Sequence, residues 1–232
     1  MTPCPAFSAT DLERNIPMKL IKRILPAVCL VLSFLMLSAC GLTIHEGVGE
    51  GDAMDKASGT VWYHASTCYE AVELGKKLGK LVVGEHDLEL YKILDMDPDE
   101  WVATEEKNVL YTSDVQLPTL AELKPTELYF YIDGSAEHKL HTISDSDTLQ
   151  SIIKAYSENT STVYDARPAY KTYRVKFNSS VYKGLYYALT YVEYSTDYVV
   201  DDVNYGKYFL YDRFDQKFIP VGDEIHKALK IE

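Results

Sequence analysis

The residue types able to do chemistry in this chain are carboxylates, six histidines, four cysteines and an excess of tyrosine. Asp95, Asp97 and Asp99 stand at alternate positions, with Glu106 at the twelfth place, in partial imitation of a calcium loop. Such a loop needs Gly at its sixth place for a sharp turn. Here that place holds Glu100, and Pro98 stiffens the fourth, so a solvated acidic turn is expected. His138 and His141 lie three apart with no Cys or carboxylate at a telling interval, and they predict no metal centre. His45-Glu46 opens like a zinc-protease motif, but Gly49 occupies the place of its second histidine. Gly47, Gly49 and Gly51 imitate a phosphate loop without a preceding strand or a following helix. The chain has no Cys-x-x-Cys pair, no Gly-x-Ser-x-Gly elbow and no Gly-Lys-Ser/Thr loop. A hydrolase built on two carboxylates needs no motif, so that chemistry stays open. No catalytic residue, metal or cofactor is assigned.

Tyrosine is the strongest compositional bias: 19 in all, 13 of them from Tyr156 onward. A phenol joins an apolar ring to a polar tip, which suits half-buried strands and binding surfaces alike. Packing within a sheet is the plain expectation. An aromatic platform for a glycan, a peptide or a partner protein is the alternative, with Tyr186, Tyr194, Tyr205 and Tyr208 as the first positions to inspect.

The stretch Met18 to Gly41, MKLIKRILPAVCLVLSFLMLSACG, has a different chemistry. Lys19, Lys22 and Arg23 form a basic head before an uncharged run from Ile24 to Leu37. That run is shorter than the roughly 20 residues of a membrane span and suits the apolar core of a secretory signal. Leu37-Ser38-Ala39-Cys40-Gly41 follows at once. This order resembles the lipobox signal of bacterial lipoproteins. The resemblance implies diacylglyceryl transfer to the Cys40 sulfur, cleavage before Cys40, and a chain lipid-anchored to the membrane on the exported side of the cell envelope. With Gly41 after the cysteine, the family's behaviour implies the outer membrane where there are two membranes, and the cell membrane where there is one. Asp11 and Glu13 make residues 1–17 an unusual lead for such a signal, so translation from Met18 is expected.

Residues 1–39 hold two acids and four bases, leaving 33 acids against 19 bases from Cys40 onward, a net of −14. Such a surface repels nucleic acid and anionic headgroups alike. With Cys4 and Cys29 removed and Cys40 acylated, only Cys68 remains, so no internal disulfide is expected.

The elements positioning these residues read as an α+β fold: a largely antiparallel, Tyr-rich sheet, two amphipathic helices and a short C-terminal helix. Residues 40–59 carry five of the twelve glycines and predict a flexible tether of roughly 25 Å. Residues 60–232 predict one domain, with a possible subdivision near 135. Thr67-x-x-Glu70 resembles a capping box opening a helix over 68–78, with Cys68 buried on its apolar face. Thr60–Tyr63, Leu81–Val83 and Leu88–Leu94 read as strands, the last ambiguous with helix. Trp101–Thr104 and Val109–Thr112 predict a hairpin, and Leu128–Ile132 pairs with Lys139–Ile143. Leu149, Ile152, Ile153 and Tyr156 recur at helical spacing within 147–157, behind Asp147 and Gln150 as a capping box. Tyr173, Val175 and Phe177 alternate with polar residues, Leu185–Tyr194 reads as a central strand, and Tyr208–Tyr211 pairs with Phe218–Val221. A helix over 223–230 closes the chain.

Three functions follow as expectations. The first is a non-catalytic lipoprotein domain that binds a ligand or partner at the envelope. The second is an envelope hydrolase using paired carboxylates. The third is a structural or assembly lipoprotein.

Overall fold

The computed structural model describes residues 41–47, 52–132, 138–162 and 169–229. The signal-like stretch 18–39, Cys40, Gly49 and Gly51 lie outside them.

Among the described residues strands dominate, and the α+β expectation is corrected to a mostly β fold with a closed barrel and two short helices. The barrel is formed by β1 (Leu42–Glu46), β2 (Ala53–Asp55), β3 (Val61–His64), β8 (Val109–Thr112), β7 (Trp101–Thr104), β6 (His86–Ile93) and β5 (Leu74–Val83), in that order. Antiparallel pairs run around it until β1 meets β5 in parallel and closes the ring. Its interior is filled by Ile44, Ala53, Trp62, Leu81, Leu90, Val102 and Leu110, all buried. A barrel this small holds side chains, not a channel.

A second sheet runs β10 (Lys139–Ile143), β9 (Pro125–Ile132), β11 (Lys171–Ser179), β12 (Leu185–Glu193), β15 (Tyr208–Asp212) and β16 (Lys217–Pro220). The seventh strand, β4 (Tyr69–Ala71), shares one edge of β12 with β15: β4 pairs with Leu185–Tyr187 and β15 with Thr190–Glu193. A small hairpin, β13 (Val199–Val200) and β14 (Val203–Asn204), stands apart. Helix α1 (Ser146–Glu158) lays Leu149, Ile152 and Ile153 over the sheet face that carries Leu128, Phe130, Val175 and Phe177. Helix α2 (Glu224–Leu229) buries Ile225. Ile93, Trp101, Ala103 and Val109, from the outside of the barrel, join that same core, so the sheet packs on the barrel's outer side while the barrel keeps its own interior.

Two segments depart from their expected form. Residues 68–78 are not helical: they supply β4 and the start of β5. The apolar spacing of Cys68, Ala71 and Val72 is real, but sheet pairing satisfies the backbone instead, Val72 N–H donating to the Gly184 carbonyl and Ala71 N–H to that of Lys107. Residues 40–59, expected as a coil, supply β1 and β2. Their short strands are held by the long-range pairing of Leu42–His45 with Gly79–Val82. Strands β9 and β10, on either side of position 135, pair with each other. In α1 the cap is Asp145, whose side chain accepts from Thr148 N–H, two residues ahead of the expected Asp147. The 101–112 hairpin, the strand pair across 132–139, the alternation in β11, the central place of β12 and the β15–β16 hairpin stand as read.

Barrel closure depends on one residue without a side chain. A Cβ at Gly79 would lie 1.7 Å from the Leu42 carbonyl oxygen. Gly79→Ala is therefore expected to push β1 off β5 and cost about 1–3 kcal/mol, as overpacking does. Urea unfolding measures the loss, and hydrogen exchange should localise it to Leu42–Glu46; unchanged stability and protection would contradict this closure.

Candidate functional site

On the sheet face opposite α1, β11 presents Arg174, Lys176 and Asn178, β9 presents Glu127, Tyr129 and Tyr131, β12 presents Tyr186, and β4 presents Glu70. Strand alternation puts them there, because Val175, Phe177, Leu128, Phe130 and Tyr187 take the core side.

Glu70 is the hub. One carboxylate oxygen meets Arg174 Nη2 and the other meets Lys176 Nζ, each at 2.5 Å. Arg174 also donates to the Thr67 carbonyl at 3.2 Å. Lys176 is only 8% exposed, so its ammonium depends on Glu70 and on nearby ring faces. Its Nζ lies 5.1 Å from the Tyr131 ring centre and 5.7 Å from that of Tyr186, within cation–π range. Ala188, small and directly opposite Lys176, leaves room for the lysine stem. Tyr129 stands edge-on to Tyr186 at 5.9 Å, and Lys139 Nζ lies 4.2 Å over the Tyr129 ring. The Tyr129 hydroxyl and Asn178 Nδ2 both donate to Glu127. Thr190, opposite Arg174 in the register, carries a buried hydroxyl with no hydrogen-bond partner.

Burial works to raise the pKa of Glu70, but hydrogen bonds from Lys176 and Arg174 and their charges outweigh it, holding the carboxyl below the usual range. Burial, followed by the Glu70 charge, raises the Tyr131 phenol, and burial raises that of Tyr186. These phenols stay neutral at ordinary pH. The site offers ring faces, phenol hydroxyls and an ion-paired floor.

Of the tyrosines singled out in the sequence, Tyr186 alone belongs to this face. Tyr194 is buried at 2% exposure among Tyr198, Phe209 and Phe218. Tyr205 packs on Tyr198, and Tyr208 stacks against His226 at 4.9 Å. In the sequence Glu70 reads as part of a helix-capping box, and Arg174 and Lys176 are two of the polar residues that alternate with Tyr173, Val175 and Phe177. Tyr129, Tyr131 and Lys176 were missed as a group, although the polar alternation along β11 is the signal that could have found them.

Other chemistry-bearing groups are engaged structurally. Cys68 is free and buried, and burial, then the neighbouring Asp212 charge, pushes its thiol up, which fits an inert cysteine. Asp97 accepts from Asp99 N–H within the acidic turn. His141 sits in β10 against the Phe130 ring, and His138 is exposed. Among the described residues no group of three His, Cys, Asp or Glu converges to hold a metal ion. A cavity of about 420 Å³ lies between α1, β10 and α2, with Asp145 and Glu224 in its wall. Asp145 caps α1, and its hydrogen bonds from Thr148 lower its pKa, the wrong direction for a general acid. Glu224 accepts from the Ser151 hydroxyl at 2.7 Å. Glu193, 4% exposed, meets His226 Nδ1 at 3.1 Å and the Tyr191 hydroxyl at 3.3 Å.

Glu70→Gln keeps the shape and removes the charge, stranding Lys176. Loss of about 2–3 kcal/mol at neutral pH is expected, since breaking a largely buried pair leaves an uncompensated ion. A depressed carboxylate pKa contributes stability above the unfolded-state value, which is lost as pH falls through the folded one. Urea unfolding of the wild type should therefore show an acid-side decline that Glu70→Gln flattens. Parallel pH profiles would contradict the ionic role of Glu70. No family model, curated protein or solved structure matches the chain, so these side chains themselves carry the functional reading.

Proposed function

We propose that the protein is a lipid-anchored lipoprotein of the bacterial cell envelope whose domain binds a ligand or partner without catalysis. The reading is supported by the order of basic head, apolar run and Leu-Ser-Ala-Cys-Gly around Cys40. Cys40 is the lipid attachment site in this reading, and 18–39 is the removed signal. The observation that carries the binding role is the pair of half-buried rings, Tyr131 and Tyr186, flanking the buried Lys176.

Aromatic faces take up the apolar faces of sugars or peptide side chains, while phenol tips and Glu127 or Asn178 supply hydrogen bonds. The partner is accordingly a glycan, a peptide or a protein. The acidic balance of 33 acids to 19 bases argues against nucleic acid.

Two experiments test this. Cys40→Ser is expected to move the protein from the membrane to the soluble fraction; a variant still acylated and membrane-bound would contradict anchoring. The binding role predicts that Tyr131→Ala and Tyr186→Ala, which keep the Glu70 ion pairs, weaken retention on a glycan and peptide array about tenfold each, the loss of a half-buried ring contact. Equal retention by the wild type and both variants, or none by any, would contradict it.

A further inference from the structure

We propose that the outer β1–β5 face of the barrel lies directly on the phospholipid headgroups. This rests on the anchoring at Cys40 proposed above, and adds that the domain has no spacer.

Leu42, the first residue of β1, is two positions after Cys40. Gly41 alone separates them, and one residue spans at most about 3.6 Å. Nor can β1 peel away to lengthen the link. Leu42, Thr43, Ile44 and His45 are registered against Gly79, Lys80, Leu81 and Val82, and Ile44 is fully buried in the barrel core. The backbone of Leu42 presses so closely on Gly79 that no side chain fits there. A diacylglyceryl group on Cys40 would therefore hold this side of the barrel at headgroup depth.

The chemistry of that side fits such a surface. β5, the strand beside β1, carries Lys76, Lys77 and Lys80, all exposed, and no acid. Lys80 is next to Thr43 in the register, and His45 lies between Met54 and Val82. Lys77 and Lys80 pair with Glu89 and Asp87 across half-exposed positions, where headgroup phosphate can replace or join the carboxylate. The chain from Cys40 onward carries a net −14, so an anionic bilayer repels its acidic surfaces and favours the lysine-bearing β5 next to the anchor. The occupant is thus a lipid surface, and the anchor would set the orientation of the whole domain.

The test uses the acylated protein extracted from membranes, with an environment-sensitive fluorophore at a single introduced cysteine. Lys80→Cys reports the proposed face, and Lys76→Cys repeats the measurement from its own exposed position. Thr172→Cys is the control, exposed on β11 about 17 Å along the strand from the level at which β4 pairs. The buried Cys68 is shielded from labelling. Each variant is reconstituted in phosphatidylcholine–phosphatidylglycerol vesicles bearing a headgroup nitroxide. Quenching at 80 and 76 is expected to exceed that at 172 by on the order of three-fold, given the short reach from the anchor. Equal quenching at all three positions in a chain shown by intact mass to be acylated would overturn the proposal and leave the anchoring intact. A mature chain without the acyl mass would instead overturn the anchoring, and this proposal with it.

Discussion

Glu70 holds the two layers of this protein together. It lies on β4, three residues inserted in the chain between barrel strands β3 and β5, yet paired with β12 of the second sheet. Its partners, Arg174 and Lys176, are on β11, one strand further on. The contact therefore reaches across β12 and ties a segment of the barrel's chain to the middle of the sheet. One carboxylate shared by two cations leaves this trio with a net charge of +1, and the Tyr131 and Tyr186 ring faces beside the ammonium help to stabilise the buried Lys176. The backbone repeats the connection, with Ala188 N–H donating to the Cys68 carbonyl and Val72 N–H to that of Gly184.

Around that link the apolar groups sort by face. Tyr69 and Tyr187 meet edge to face at 5.3 Å on the core side, and Tyr156 from α1 reaches Tyr187 hydroxyl to hydroxyl at 3.3 Å. Tyr194, Tyr198, Phe209 and Phe218 form a separate aromatic cluster at the β12–β15–β16 side. Most of the tyrosine excess is thus explained by packing. What packing leaves over is the small set on the β9–β11 face, where rings flank an ammonium that is already ion-paired. A surface of this kind recognises shape and polarity more than net charge.

Much of the second sheet was legible because its signals are local. Tyr173, Val175 and Phe177 alternate with Arg174 and Lys176, and Leu149, Ile152 and Ile153 mark one helical stripe, so period alone assigned them. The short turn at 105–108 likewise betrayed the β7–β8 hairpin. The closure of the barrel was not legible. β1 and β2 are five and three residues long; β1 is held by a parallel pairing with a strand almost forty residues away, which no local pattern announces, and β2 lies between β1 and β3. The run 68–78 was misread because its apolar spacing and Thr67-x-x-Glu70 fit a capped helix. What decided otherwise was an edge position on β12 and two cations 104 and 106 residues later in the chain. The site went unseen for the same reason: its hub is contributed by a three-residue strand with no signature of its own.

The central claim is that β4 and Glu70 make barrel and sheet one mechanical body. Native-state hydrogen exchange under increasing urea tests this most directly. The account predicts that core amides of the barrel, such as Leu81 and Leu90, and of the sheet, such as Phe177 and Leu189, exchange through one common opening with one dependence on urea. Barrel amides that open at markedly lower free energy than sheet amides, with a smaller dependence on urea, would contradict it.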